Sequence, residues 1–189
     1  MIPGAYAHGF FPMADSRSGP ISWYSPDPRA VIPLQGFHPP RSLRRVIRKG
    51  MFEIRVDTAF EEVIRRCAMR EETWISESVI HAYTVLHHRG HAHSVEAWRG
   101  GRLAGGLYGV SMKGAFFGES MFAVESEASK VALVWLVGHL QRKGFVLLDT
   151  QIMNEHVRQF GAIEIPRAEY LNLLASALSA DVSFGGRPL

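Results

Sequence analysis

Residues 105–151, GGLYGVSMKGAFFGESMFAVESEASKVALVWLVGHLQRKGFVLLDTQ, decide how the rest of the chain is arranged. The apolar runs 107–110 and 115–117 flank a Ser-Met-Lys-Gly turn and predict an antiparallel strand pair. Ser126 stands as an N-cap before a helix over 128–143, and Gly144 occupies the C′ position where a helix ends. That helix is apolar nearly all round (Val131, Ala132, Leu133, Val134, Trp135, Leu136, Val137), which predicts burial. Phe145-Val146-Leu147-Leu148 reads as a central strand covered on both faces. It delivers Asp149, Thr150 and Gln151 to its end, a place where an open sheet commonly builds its site.

Working outward, 189 residues suffice for one large domain with a small appendage. With 47% hydrophobic and 21% charged residues, the composition is that of an ordinary globular protein. No apolar run has the length of a membrane span, and no basic segment followed by an apolar core marks a signal peptide. Cys67 is the single cysteine, which excludes a disulfide framework and fits a cytoplasmic location.

Residues 6–40 are aromatic and rich in proline, so we expect a small, loop-rich N-terminal lobe over 1–38. Within it, residues 29–34 read as an edge strand limited by Pro33. The main domain is expected over 39–180, with a loose tail over 181–189. Residues 41–49, between Pro39-Pro40 and Gly50, form a predicted helix with Leu43, Val46 and Ile47 on one face. Arg41, Arg44, Arg45 and Arg48 then share the other. No Asp or Glu occurs between Asp27 and Glu53, so this face is either solvated or a contact for a phosphate backbone. Thr58 and Glu61 read as a capping box for the next helix. A further helix over 76–89, strands over 93–98 and 102–110 around Gly100-Gly101, a short helix over 154–159, a strand over 162–165 and a closing helix over 167–178 complete the order. The fold class expected is α/β (α+β): a mixed sheet flanked by helices.

The cluster His87, His88, His91, His93 lacks cysteines and any HExxH spacing, so surface or capping roles are expected and no metal. Gly100-Gly101 and Gly105-Gly106 lie within a hairpin and are not a phosphate loop. Ser120 has Gly118 before it but Phe122 in place of the second flanking glycine, so the nucleophile elbow is incomplete. No organic cofactor is called for.

The order strand-strand-linker-helix-strand resembles the acyltransferase fold of the GNAT superfamily. The stretch Glu125-Ser126-Glu127-Ala128-Ser129-Lys130, where acyl-CoA users carry a glycine-rich pyrophosphate loop, has no glycine and two repelling carboxylates. More specific are Trp23-Tyr24-Ser25-Pro26-Asp27-Pro28-Arg29, Arg41-Ser42-Leu43-Arg44, Glu72-Thr73-Trp74-Ile75, Gly90-His91-Ala92-His93-Ser94-Val95-Glu96, Gly105-Gly106-Leu107-Tyr108-Gly109-Val110 and Gly118-Glu119-Ser120-Met121-Phe122. Occurring in this order over residues 5–178, they resemble the leucyl/phenylalanyl-tRNA–protein transferase family. The resemblance implies transfer of Leu or Phe, and Met less well, from aminoacyl-tRNA to proteins beginning with Arg or Lys, which marks them for degradation by the bacterial N-end rule. It also implies an aromatic at position 13 for the 3′-terminal adenosine, where this chain has Met13, while Trp74 keeps its counterpart. The N-terminal lobe reads as abbreviated relative to the family.

On this reading Asp149 orients Gln151 and attracts the incoming ammonium, the two side chains sharing one strand face. Gln151 accepts an N–H of the attacking amine. Glu119 binds the acceptor's cationic side chain or helps remove a proton. A strand-end cap for Asp149 and a buried salt bridge for Glu119 are the structural alternatives. Leu107, Phe116, Met121 and Leu136, with Phe117, are expected to line the pocket for the donor's side chain. Trp74, Gly118 and Asn154 complete the substrate-binding set, and Arg41, Arg44, Arg45 and Arg48 the tRNA face. Two other function classes fit the residues alone: a CoA-dependent N-acetyltransferase and a non-catalytic RNA-binding module.

Overall fold

The computed structural model describes residues 2–14, 16, 19–70 and 73–185. Its elements run α1 (Ile2–Ala7), β1 (Phe11–Met13), β2 (Ser22–Tyr24), β3 (Arg29–Val31), α2 (Arg41–Arg48), β4 (Glu53–Val56), α3 (Phe60–Cys67), α4 (Glu77–His88), β5 (Ala92–Arg99), β6 (Arg102–Met112), β7 (Ala115–Ala123), α5 (Ala128–Lys143), β8 (Leu147–Gln151), α6 (Glu155–Arg158), β9 (Ile163–Ile165) and α7 (Arg167–Ser179). Seven strands form one mixed sheet in the order β4-β5-β6-β7-β8-β3-β9, and β1-β2 make a separate ribbon. Every pair in the large sheet is antiparallel except β7 with β8, which the α5 crossover makes parallel.

Helices cover both faces, as the mixed apolar patterns require. On one side α3, α4 and α7 pack Phe60, Val63, Ile64, Tyr83 and Tyr170 against Tyr108, Val110 and Phe117. On the other, α5 packs Val131, Leu133, Leu136, Val137 and Leu140 against Leu107, Phe116 and Leu148. Each such side chain contributes about 1.5–3 kcal/mol relative to an exposed one. The expected burial of α5 holds along most of its length; Val134 and Trp135 remain part-exposed.

Several expectations change. The strand begins at Leu147 rather than Phe145, because the chain is still leaving the Gly144 cap, whose φ is 78°. Ser126 does not cap α5; Glu127, at φ 71°, holds that position without a side-chain bond to the helix amides. Nor do Thr58 and Glu61 form a capping box. Instead Glu96, from β5, accepts from the Thr58 and Ala59 amides, each at 3.0 Å, and from the Thr58 hydroxyl. A buried carboxylate outcompetes the local device because its own burial demands several donors. At the start of α4 a side-chain cap does form: the Ser76 hydroxyl accepts from Val79 N.

β3 is not an edge strand. It lies between β8 and β9, and its pairing ends at Ile32, whose N–H donates to Leu148 O at 2.9 Å, one residue before Pro33 would interrupt it. The expected loose tail packs down as far as Gly185: Phe184 is 3% exposed and stacks on His93 with centroids 4.2 Å apart. His93 itself is buried and paired to Asp57 at 2.8 Å, so it is not a surface residue.

Candidate functional site

Parallel pairing of β7 with β8 covers only Ala115↔Leu147, Phe116↔Leu148 and Phe117↔Asp149. Beyond Phe117 the two strands diverge. The cause lies in β7: Tyr108 faces Ser120 while Gly109 faces Gly118, so Glu119 is one residue extra, a bulge. A bulge bends its strand and re-aims its side chain, and here it opens the sheet into a wedge.

A cavity of about 830 Å³ passes through that wedge. On the α5 side its wall is apolar, with Leu107, Met121, Leu133, Leu136, Leu148 and Val157. Toward α3 it is polar, with Glu119, Ser120, Arg66 and Arg70. Gly118, Gln151 and Asn154 line the wall between, and Asn154 caps α6 by accepting from His156 N and Val157 N at 2.9 and 3.0 Å.

Glu119 accepts from Tyr6 OH at 2.7 Å and from Tyr83 OH at 3.1 Å, and the two hydroxyls are 2.6 Å apart. Burial pushes its carboxyl up to about 7, although both tyrosine hydroxyls pull the other way. The same burial, with the neighbouring carboxylate, raises both tyrosines well above their ordinary range, so they remain donors.

Asp149 stands differently. It is fully buried, and its Oδ1 accepts from Arg29 Nε (3.0 Å) and Gln151 N (2.8 Å) while Oδ2 accepts from Arg29 Nη2 (2.7 Å) and Tyr170 OH (2.8 Å). Arg29 is equally buried, donates also to Gly9 O at 3.0 Å, and lies over the rings of Phe11 and Tyr170. Burial works against its charge, but Asp149 more than offsets that, and its pKa is raised. With four donors on one carboxylate, none of it faces the cavity.

The alternation rule for side chains fails at the strand's last residue. Gln151 has φ 59°, leaves the extended conformation, and lines the cavity that Asp149 does not reach. Asp149 therefore bears on Gln151 through the main-chain N–H. The Gln151 Nε2 is buried and without a partner among the described residues. His156, at the same wall, has its pKa lowered by burial and by Lys130 and Arg70, which keeps the ring neutral.

Of the residues expected in the pocket, Leu107, Gly118, Met121, Leu136 and Asn154 line it with Glu119 and Gln151. Phe116 and Phe117 do not: Phe116 sits beneath it in the core near Phe184, and Phe117 packs on Tyr6. Trp74 packs at the margin of the α3 and α4 core, as does Met13, away from the cavity wall. Glu72 of the same motif lies outside the described residues. Arg41, Arg44, Arg45 and Arg48 form one exposed face of α2, and among the described residues no carboxylate pairs with them. Tyr6, Arg29, Tyr83 and Tyr170 are site residues that the sequence does not announce. Only Arg29, a charge at the head of an apolar strand run, carries a visible signal.

A mixed α/β fold carries a cavity that passes through the sheet, apolar on one side and lined on the other by Glu119 with Arg66 and Arg70. The comparisons with known proteins make this particular. Residues 31–175 match the family model described as leucyl/phenylalanyl-tRNA protein transferase, and residues 4–27 match its N-terminal domain. Proteins named leucyl/phenylalanyl-tRNA–protein transferase are similar over nearly the whole chain. That of Chlorobaculum parvum is 60% identical, covering 95% of each chain. That of Rubrobacter xylanophilus is 56% identical over 97% of this chain and 96% of its own. That of Gloeobacter violaceus is 56% identical over 95% and 93%. The chain belongs to the leucyl/phenylalanyl-tRNA–protein transferase family, and it is an enzyme. Among the described residues no helix is long and apolar enough to cross a membrane.

Proposed function

We propose that this protein transfers Leu or Phe, and Met less well, from aminoacyl-tRNA to the α-amino group of proteins beginning with Arg or Lys, in the cytoplasm, marking them for degradation by the bacterial N-end rule. The observation that carries the reading is a cavity with an apolar wall on one side and the Glu119 carboxyl among polar side chains on the other, in a chain of this family. The fold is read as GNAT-like because the parallel β7-β8 pair splays around an α5 crossover.

The donor's side chain enters between Leu107, Met121, Leu133, Leu136 and Leu148. Its ester carbonyl then lies at the fork of β7 and β8, beside Gln151. The acceptor's amine adds to that carbonyl, the C–N bond forms, and the bond to the ribose oxygen breaks. The amide oxygen of Gln151 accepts an N–H of the amine and aligns its lone pair. Asp149 acts through Gln151 as a positioning residue; its four donors leave it no direct hold on the ammonium. Glu119, close to neutrality in pKa, receives the cationic side chain when ionised or takes up the proton the amine sheds. The oxygen that leaves carries a proton at the end, so one proton passes from amine to ribose.

The α2 arginines hold tRNA phosphates, and Trp74 receives the terminal adenosine. The decisive experiment supplies labelled Leu-tRNA with a Lys-initiated peptide and an Ala-initiated control. Labelling of the first alone is expected, and equal labelling of both overturns the acceptor assignment. Replacing Leu-tRNA by acetyl-CoA is expected to give no product.

A further inference from the structure

The glycines of the central strands are mostly explained by their neighbours. A Cβ on Gly105 would meet the Ala128 Cβ at 2.7 Å, one on Gly106 the Val95 carbonyl at 2.9 Å, and one on Gly114 the Ala177 carbonyl at 2.9 Å. Gly118 is different. Its φ is not in the left-handed region, and a Cβ there meets only Asp149 O, at an ordinary 3.6 Å. Nothing among the described residues requires glycine at this position, yet it lines the cavity where β7 leaves β8. A glycine that the protein's own packing does not need marks a close approach of something else, and strand glycines commonly do so for another backbone.

Among the described residues no strand pairs with the edge of β7 beyond this point. β7 continues to Ala123 with β6 on one side, while β8 stops pairing at Phe117. Arg70, an exposed side chain, donates to the main-chain oxygen of Met121. That carbonyl therefore points into the wedge, where an approaching N–H can replace the guanidinium. An open sheet edge is a template for an added strand.

We propose that the acceptor polypeptide binds in extended form along the open edge of β7, from Gly118 toward Ala123, taking the place that β8 vacates. This rests on the acceptor reading above. Its N-terminus lies at the fork beside Gln151, so it runs parallel to β7, and its cationic first side chain meets Glu119 at the bulge. Charge complementarity selects residue 1. Main-chain pairing holds residues 2–4 with little regard to their side chains, which suits an enzyme whose acceptors differ beyond their first residue.

Parallel pairing uses the N–H and C=O of alternate residues, and that gives the test. A Lys-initiated peptide is prepared with the amide at residue 2, 3 or 4 either N-methylated or replaced by an ester, and transfer is measured at saturating Leu-tRNA. The expected result is alternation: the acceptor KM rises by about 10- to 100-fold at one parity for both modifications. At the other parity it moves little, and kcat is held throughout. Gly118→Ala is expected to raise the acceptor KM while the melting temperature stays near wild type. Labelling of the unmodified peptide with no position sensitive, or all equally so, overturns strand addition alone. An unlabelled unmodified peptide overturns the acceptor reading and this proposal with it.

Discussion

Asp149→Asn is the natural probe of the strand end, and from sequence alone it promises lost activity with stability intact. The structure reverses the second half. Oδ1 accepts from Arg29 Nε and Gln151 N, and Oδ2 from Arg29 Nη2 and Tyr170 OH. An amide nitrogen in place of either oxygen sets donor against donor and leaves Arg29, with no exposed surface, without its counter-charge. Removing one partner of a buried pair costs about 3–5 kcal/mol. For a chain of this size each kcal/mol lowers the melting temperature by about 2–4 °C, so Asp149→Asn should melt lower by about 6–20 °C. Thermal unfolding followed by circular dichroism measures it. Arg29→Met combined with Asp149→Asn should melt above Asp149→Asn alone, because no unpaired charge remains. A single variant melting within about 2 °C of wild type, or a double variant at the sum of the two losses, would refute the account of Asp149 as the anchor of Arg29. Transfer by Asp149→Asn, assayed well below its melting point, should still fall by about 10²- to 10⁴-fold if the Gln151 N–H loses its placement.

Glu119 supplies a pH dependence. Its folded pKa of about 7 lies above the ordinary carboxyl value of 4.5, so the protonated form is favoured in the folded protein and stability falls as pH rises from about 4.5 through 7. The KM for an Arg-initiated peptide should fall over the upper part of that range as the carboxylate forms, and Glu119→Gln should abolish that step; an unchanged profile would return Glu119 to a structural role. In the donor pocket, Val-tRNA should be poorer than Leu-tRNA by about 10- to 200-fold in kcat/KM, since an apolar wall discriminates by the methylene groups it touches. Comparable rates would contradict a wall built from Leu107, Leu133, Leu136 and Leu148. Replacing two of Arg41, Arg44, Arg45 and Arg48 by Ala should reduce the salt slope of tRNA binding by roughly 0.7–0.9 for each phosphate no longer neutralised, with saturated turnover held. An unaltered slope would make the α2 face simply solvated.

Most elements follow from local pattern. Gly144 and Ser76 end and begin helices where the sequence places them, the Gly100-Gly101 hairpin closes as read, and most of the apolar run of α5 is buried against the sheet. These features depend on neighbours within a few residues, which is the range over which periodicity and capping act. The site is local only in part. Gln151 is visible as a polar residue at the end of an apolar strand. Its φ of 59° and its separation from Asp149 are not, because strand parity predicts one shared face. The partner of Asp149 lies 120 residues away in Arg29, and that of Glu119 lies 113 residues away in Tyr6. No window of sequence contains both members of either pair. The bulge at Glu119 is likewise a count of one strand against another, legible only once β6 and β7 are in register. The residue types and the family motifs were thus written in the chain. Which carboxylate is sealed in an ion pair and which faces the cavity was decided by packing, since burial and the nearest donors belong to the assembled sheet.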